Sequence, residues 1–139
     1  MSIFWEAFKK ILSNLYSNAV KYSNHEVSLK LERDDSHLQI TITNDGRLIP
    51  YHLQQRIFEP FYRVPGEVKN LGTGIGLSLA YSLTELHQGK LHFETQNNLN
   101  TFILRLPLYQ REALSAEQTP TASLNQTDTS LERNFKKNK

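Results

Sequence analysis

Cysteine is absent from the 139 residues. That removes disulfides, thiolate nucleophiles, iron–sulfur ligation and cysteine-based zinc sites, and it fits a reducing compartment. Long apolar runs are missing too, since no stretch reaches the ~18 residues that a membrane-spanning helix needs. The opening Met1-Ser2-Ile3-Phe4-Trp5-Glu6 has no basic region leading into an apolar one, so no secretory signal is legible. A charge excess of one sign is also lacking. Sixteen Lys and Arg against fourteen Asp and Glu leave a formal net charge of +2, too balanced to point to nucleic acid or to an anionic membrane surface. The expectation is a cytoplasmic module with no nucleic-acid partner and no direct membrane contact.

What is present suits one domain with a tail. The hydrophobic share of 38% over 139 residues can build a single modest core. Phe8, Ile11, Leu15, Ala19 and Tyr22 recur at helical spacing and predict a helix over residues 3–22. The period then becomes two. Val27, Leu29 and Leu31, and after a turn at Asp34-Asp35-Ser36 also Leu38, Ile40 and Ile42, read as an antiparallel pair with one face on a core. Asn44-Asp45-Gly46 ends that pattern. A short helix is expected from Pro50 to Phe58, a loop from Pro60 to Leu71, and a second long helix from Gly74 to His87. Strands at Lys90–Thr95 and Thr101–Leu106 flank an Asn-rich turn. The apolar content then collapses, so residues 110–139 are expected to be a disordered polar tail and residues 1–109 the folded domain. The fold class is α+β, a two-layer sandwich with helices on one face of the sheet.

Three polar clusters exceed what a core requires. Asn14, Asn18 and Lys21 fall at i, i+4 and i+7, a narrow sector bordering the apolar stripe. Such residues are commonly just solvated. Asn oxygens can also ligand a hard cation such as Mg²⁺, and a lysine one turn on can meet its phosphates. Gly72-Thr73-Gly74-Ile75-Gly76-Leu77 runs into a helix. It reads either as a flexible linker or as a phosphate-approaching loop at a helix N-terminus. Neither the Gly-x4-Gly-Lys-Ser/Thr loop nor a Gly-x-Gly-x-x-Gly turn is present. The third cluster, Asn44-Asp45-Gly46 before Ile49-Pro50, is either an ordinary turn or an acceptor for the exocyclic amine of a purine.

Together and in order, these clusters resemble the ATP-binding catalytic domain of two-component sensor histidine kinases, in the superfamily shared with type II topoisomerases and mismatch-repair ATPases. Ile11 to Ser23 resembles its N-box, Asn44 to Pro50 its first glycine box, Arg56 to Arg63 its phenylalanine box, and Gly72 to Leu77 its second glycine box. Asn100 to Pro107 resembles its closing strand. The run from Leu79 to Gly89 is similar to large one-chain sensor kinases of Bacteroides-like bacteria. The resemblance implies a mixed sheet under about three helices, with ATP between the N-box helix and a lid at about residues 63–72. Asn18 would hold Mg²⁺ with Asn14 beside it, Lys21 and Arg63 would meet phosphate, and Tyr22 would lie near base or sugar. Ile49 belongs to the base-binding box; Gly72, Thr73, Gly74, Ile75, Gly76 and Leu77 would form the lid hinge and phosphate loop. Thr101 would support the adenine end.

The match is imperfect at the base. Alignment on Gly46 and Ile49-Pro50 places Asn44 where the family has its adenine-recognising Asp, and Leu48 at the second Gly. Asn44 could still accept the adenine amine through its carbonyl oxygen, without charge assistance; Asp45 could serve if the loop slips by one residue. Hydrolytic branches of the superfamily place a water-activating Glu at the position of Asn14, and an amide cannot act as a general base. The resemblance therefore implies a histidine kinase, with catalysis by Asn14 and Lys21, over a hydrolytic ATPase. None of His25, His37, His52, His87 and His92 has the family's phosphoacceptor context of a His followed by Glu or Asp on a dimerisation helix. The implied partners are a phosphoacceptor dimerisation domain, in cis or in trans, and a response regulator downstream. The parent kinase could be membrane-anchored. A silent nucleotide-binding regulatory module is the alternative.

Overall fold

The computed structural model describes residues 3–66 and 74–108, and Met1–Pro107 forms one compact unit. The first helix, α1 (Ile3–Tyr22), has the predicted span. Its buried residues Ala7, Ile11, Leu15 and Ala19 are each four apart, one line down one face. A hairpin follows, β1 (Val27–Arg33) and β2 (His37–Asn44). Its turn is closed by Asp34, whose Oδ1 accepts from the N–H of Ser36 at 2.8 Å and of His37 at 2.7 Å. After α2 (Gly76–Leu86) a second hairpin, β3 (Lys90–Gln96) and β4 (Leu99–Pro107), turns through Asn97 and Asn98 at φ of 50° and 65°. Asn tolerates that left-handed region, which two-residue hairpin turns demand.

The four strands lie in the order β1-β2-β4-β3. All three pairings are antiparallel, so the α+β two-layer class holds but the mixed sheet does not. Each hairpin supplies an antiparallel pair and β2 joins β4 the same way; a parallel strand would need a further element, which the described residues do not contain. The registered row Leu29–Ile42–Phe102–Phe93 and the next, Leu31–Ile40–Leu104–Leu91, share one face. On it α1 packs against β2 and α2 against β3, forming one core with Ile57 and Ala80. The edge strand β1 overhangs this layer. Leu29 and Leu31 remain 46% and 61% exposed, although their alternation predicts a core-facing strand.

Two helices depart from expectation. The stretch from Pro50 to Phe58 forms two single-turn 3-10 helices, Tyr51–Leu53 and Arg56–Phe58. Pro50 is extended, and the bonds from Leu53 N–H to Pro50 O and from Glu59 N–H to Arg56 O close three-residue turns. The long helix begins at Gly76, not Gly74, because Gly74 sits at φ 83° in the left-handed region. Among the described residues the expected three helices are therefore two plus these turns. No helix among the described residues is long and apolar enough to cross a membrane. The predicted tail at residues 110–139 lies outside the described residues.

Candidate functional site

A cavity of about 950 Å³ opens between α1, the turn after β2, the segment around Arg63, the start of α2 and the ends of β3 and β4. From α1 it receives Asn14, Asn18, Lys21 and Tyr22, the stripe beside the buried line. From α2 it receives Gly76 and Leu77. A Cβ on Gly76 would lie 3.4 Å from Asn14 Oδ1, so the helix start meets the Asn14 amide at contact distance with no side chain between. That helix start also brings backbone N–H groups that lack intrahelical partners, a positive end.

Two cations reinforce it. Lys21 and Arg63 both line the cavity. Partial burial, and then the Arg63 charge, lower the Lys21 pKa from its ordinary 10.5. Two like charges facing one cleft make its potential positive, which favours anionic ligands.

The other end is apolar. Phe102 stands edge-on to Phe93 at 5.0 Å and to Phe58 at 6.3 Å between ring centroids, and Phe93, Phe102, Ile49 and Ile57 line the cavity. Above this floor two facing residues, Asn44 and Asn100, form a buried amide pair. Asn44 Oδ1 accepts from the Gly46 N–H at 2.9 Å and from Asn100 Nδ2 at 3.2 Å. Asn100 Nδ2 also donates to Arg47 O at 2.9 Å, and its Oδ1 accepts from the Ile49 N–H at 3.3 Å. This network pins the turn after β2 to the end of β4.

The loop beyond Phe61 is fastened at its base. The Phe61 N–H donates to Gly74 O at 2.7 Å. Phe61 itself is left-handed at φ 67°, a strained state for an aromatic residue. Arg47 Nη2 reaches across to Pro65 O at 2.8 Å, so the turn after β2 also holds the loop. Arg56 pairs with Glu59 at 3.3 Å and stacks over Tyr62.

Comparison with known proteins supplies the family. Residues 5–110 match the family of histidine kinase-, DNA gyrase B- and HSP90-like ATPases. The chain belongs to that family. It is 31% identical over 110 residues to a probable sensor kinase, SilS, of Salmonella typhimurium, covering 76% of this chain and 22% of that protein. It is 35% identical over 99 residues to the heme sensor protein HssS of Staphylococcus aureus, covering 69% and 21%. The chain thus spans about a fifth of the length of the curated relatives it matches. Among solved structures, the mycobacterial sensor histidine kinase MprB superposes with a TM-score of 0.67 at 25% identity, covering 73% of this chain and 72% of that one. The catalytic domain of histidine kinase ThkA gives 0.61 at 30% identity, covering 73% and 67%. The fold is therefore that of a histidine kinase catalytic domain.

In this histidine kinase-like domain the cavity gathers Asn14, Asn18, Lys21, Tyr22, Asn44, Ile49, Arg63, Gly74, Gly76 and Leu77 from the sequence-based candidates. Gly72 and Thr73 lie outside the described residues. Asp45, Gly46, Ile75 and Thr101 are not among the lining residues. The Asp45 carboxylate accepts from the backbone N–H groups of Asn24 at 2.8 Å and His25 at 3.0 Å. Backbone N–H groups, His25 first, then Glu26 and Asn24, lower its pKa from 3.8 to about 2. Its work is to seat the start of β1. Gly46 is required by packing, since a Cβ there would fall 1.9 Å from Tyr22 O. Thr101 is fully buried and its Oγ1 donates to Leu99 O at 3.1 Å.

Asn100, Arg47, Tyr62, Phe93 and Phe102 line the cavity without having been singled out as site residues. For Asn100 a signal existed. Phe102, Leu104 and Leu106 alternate on one face of β4, and the same parity places Asn100, not Thr101, toward the helices.

Proposed function

We propose that this domain binds ATP with Mg²⁺ in the cavity and donates the γ-phosphoryl group to a histidine on a separate dimerisation domain, in cis or in trans, with a response regulator downstream. The observation that carries the proposal is the convergence of Asn14, Asn18, Lys21, Arg63 and the glycine start of α2 on one cleft. Phosphoryl transfer asks an enzyme mainly for positioning and charge neutralisation. Lys21 and Arg63 supply charge, the α2 N-terminus supplies N–H donors, and Phe93 and Phe102 supply an apolar wall for a base.

Among the described residues no three His, Cys, Asp or Glu side chains gather into an all-protein metal cage. The donor set fits Mg²⁺ in another way. Asn18 offers an amide oxygen, and a hard cation that keeps water and phosphate oxygens needs only one or two protein ligands. Bound there, the ion would offset charge on the transferred group. Asn14 is an amide, which cannot remove a proton from water; this favours an acceptor brought by another domain over hydrolysis.

The test mixes the full chain with a separately produced dimerisation domain of a sensor kinase and γ-labelled ATP. Label on the acceptor histidine, lost in Lys21→Ala and Asn18→Ala, is expected. Phosphate release that needs no acceptor would make the domain a hydrolase, and nucleotide binding without either outcome would make it a silent regulatory module.

A further inference from the structure

Arg63 reaches the cavity from a stretch that belongs to no helix or strand, so its place depends on what holds that stretch. Ordering such backbone costs entropy, which contacts of its own must offset. Three contacts do so. At the root the Phe61 N–H donates to Gly74 O at 2.7 Å. Val64 packs against the core. On the far side Arg47 Nη2 donates to Pro65 O at 2.8 Å. Arg63 lies between the first and the last of these.

The Arg47 contact is fitted at both of its ends. Gly66 holds φ 83°, and a Cβ there would fall 3.0 Å from Arg47 Nη1 and 3.7 Å from its Cζ. The guanidinium thus lies against bare backbone at Gly66 while its other terminal nitrogen bonds Pro65. At the opposite end the main chain of Arg47 is tied to the sheet. Asn100, 4% exposed on β4, donates through Nδ2 to Arg47 O at 2.9 Å and to Gly46 O at 3.4 Å. A continuous path therefore runs from β4 through Arg47 to the loop that carries Arg63. That path has electrostatic work to do. Arg63 and Lys21 repel, and a loose loop would let them part; a fastened one keeps both charges facing the cavity.

We propose that Arg47 is a positioning residue for phosphate binding, whose bond to Pro65 O holds Arg63 on the cavity with Lys21 before a ligand arrives. This inference rests on the reading that the cavity takes a nucleoside triphosphate.

The experiment has a ligand-free part and a binding part, both on the full chain. In the first, the Lys21 ammonium is titrated by NMR. Its pKa is lowered from 10.5 by burial and then by Arg63, so Arg47→Met and Arg63→Met should both move it back up. A rise in Arg63→Met with no change in Arg47→Met would overturn the inference. In the second part, equilibrium binding of Mg²⁺–ATP, inorganic tripolyphosphate and adenosine is measured. Arg47→Met should weaken the two phosphate-bearing ligands roughly fivefold or more and leave adenosine within about twofold. In an Arg63→Met background it should have no further effect, because a residue acting through another adds nothing once that other is gone. Additive losses would show Arg47 meeting the ligand itself, and equal losses for adenosine would show general loosening; either overturns the inference. Absence of saturable binding by the unaltered chain would overturn the nucleotide reading, while the Lys21 titration still decides the role of Arg47. Arg47→Gln, too short to reach Pro65 O, serves the same tests where Arg47→Met fails to fold.

Discussion

Asn100→Ala is the substitution whose cost can be worked furthest from the geometry. The side chain is 4% exposed and holds the turn after β2 through Arg47 O at 2.9 Å, Asn44 Oδ1 at 3.2 Å and the Ile49 N–H at 3.3 Å. Removing one partner of a buried hydrogen bond costs about 1–3 kcal/mol for each group left unpaired. The Ile49 N–H and the Arg47 carbonyl are the groups most exposed to that loss. Water from the adjoining cavity can reach part of the gap, so the total should be about 2 kcal/mol and not the full sum. Set against a typical stability of ~5–15 kcal/mol, that is a large share. Urea denaturation should show the midpoint falling with its slope unchanged, and a domain near 100 residues should lose roughly 8–16 °C in Tm. Asn100→Asp should be no better, because it keeps an acceptor for Ile49 but places a carboxylate against Asn44 Oδ1 and two carbonyls. A loss below about 0.5 kcal/mol in Asn100→Ala, or an Asn100→Asp variant as stable as the unaltered chain, would refute the reasoning.

Gly46→Ala should destabilise by roughly 3 kcal/mol, measured in the same way, because the atom facing the new Cβ at 1.9 Å is the Tyr22 carbonyl and no rotamer can relieve it. Asn98→Ala should cost about 1 kcal/mol, as Asn98 holds φ 65° at the β3–β4 turn, whereas Asn98→Gly should be neutral or better. The folded-state pKa of Asp45 is lowered from 3.8 to about 2. Its contribution to stability is therefore present above its ordinary pKa and is lost as the pH falls through that window. Asp45→Asn should accordingly lose less stability than the unaltered chain between about pH 6 and pH 2.5, read from urea midpoints; equal losses would contradict the assignment.

Most of the fold is local and was legible for that reason. The four-residue spacing of Ala7, Ile11, Leu15 and Ala19 and the alternation in β2 and β4 each follow from the periods of helix and strand. The Asp34 and Asn97-Asn98 turns carry their own chemistry. The misread pieces depend on distant partners. Nothing between Pro50 and Phe58 says that Gln54 will bond Ile49 O and Thr95 Oγ1, or that two short turns replace one helix. The exposure of Leu29 and Leu31 is decided by how far the helical layer reaches, which β1 alone cannot reveal. That Asn14, Asn18 and Lys21 would share one wall of the cavity was readable because they sit on one helix. The buried pairing of Asn44 with Asn100 was not, since the two meet across the sheet from 56 positions apart. Parity along β4 puts Asn100 on the face of Phe102 and Leu104, whereas the position the resemblance implies is its neighbour Thr101.

The central claim is that a nucleoside triphosphate lies between α1 and the start of α2. Amide chemical shifts recorded while Mg²⁺–nucleoside triphosphate is titrated into the full chain test it most directly. Saturable shifts at Asn14, Asn18, Lys21, Gly76 and Leu77, weakened at least tenfold in affinity by Asn18→Ala or Lys21→Ala, are the predicted result. Shifts confined to the opposite sheet face around Thr41 and Ile103, or an affinity that neither substitution changes, would contradict it.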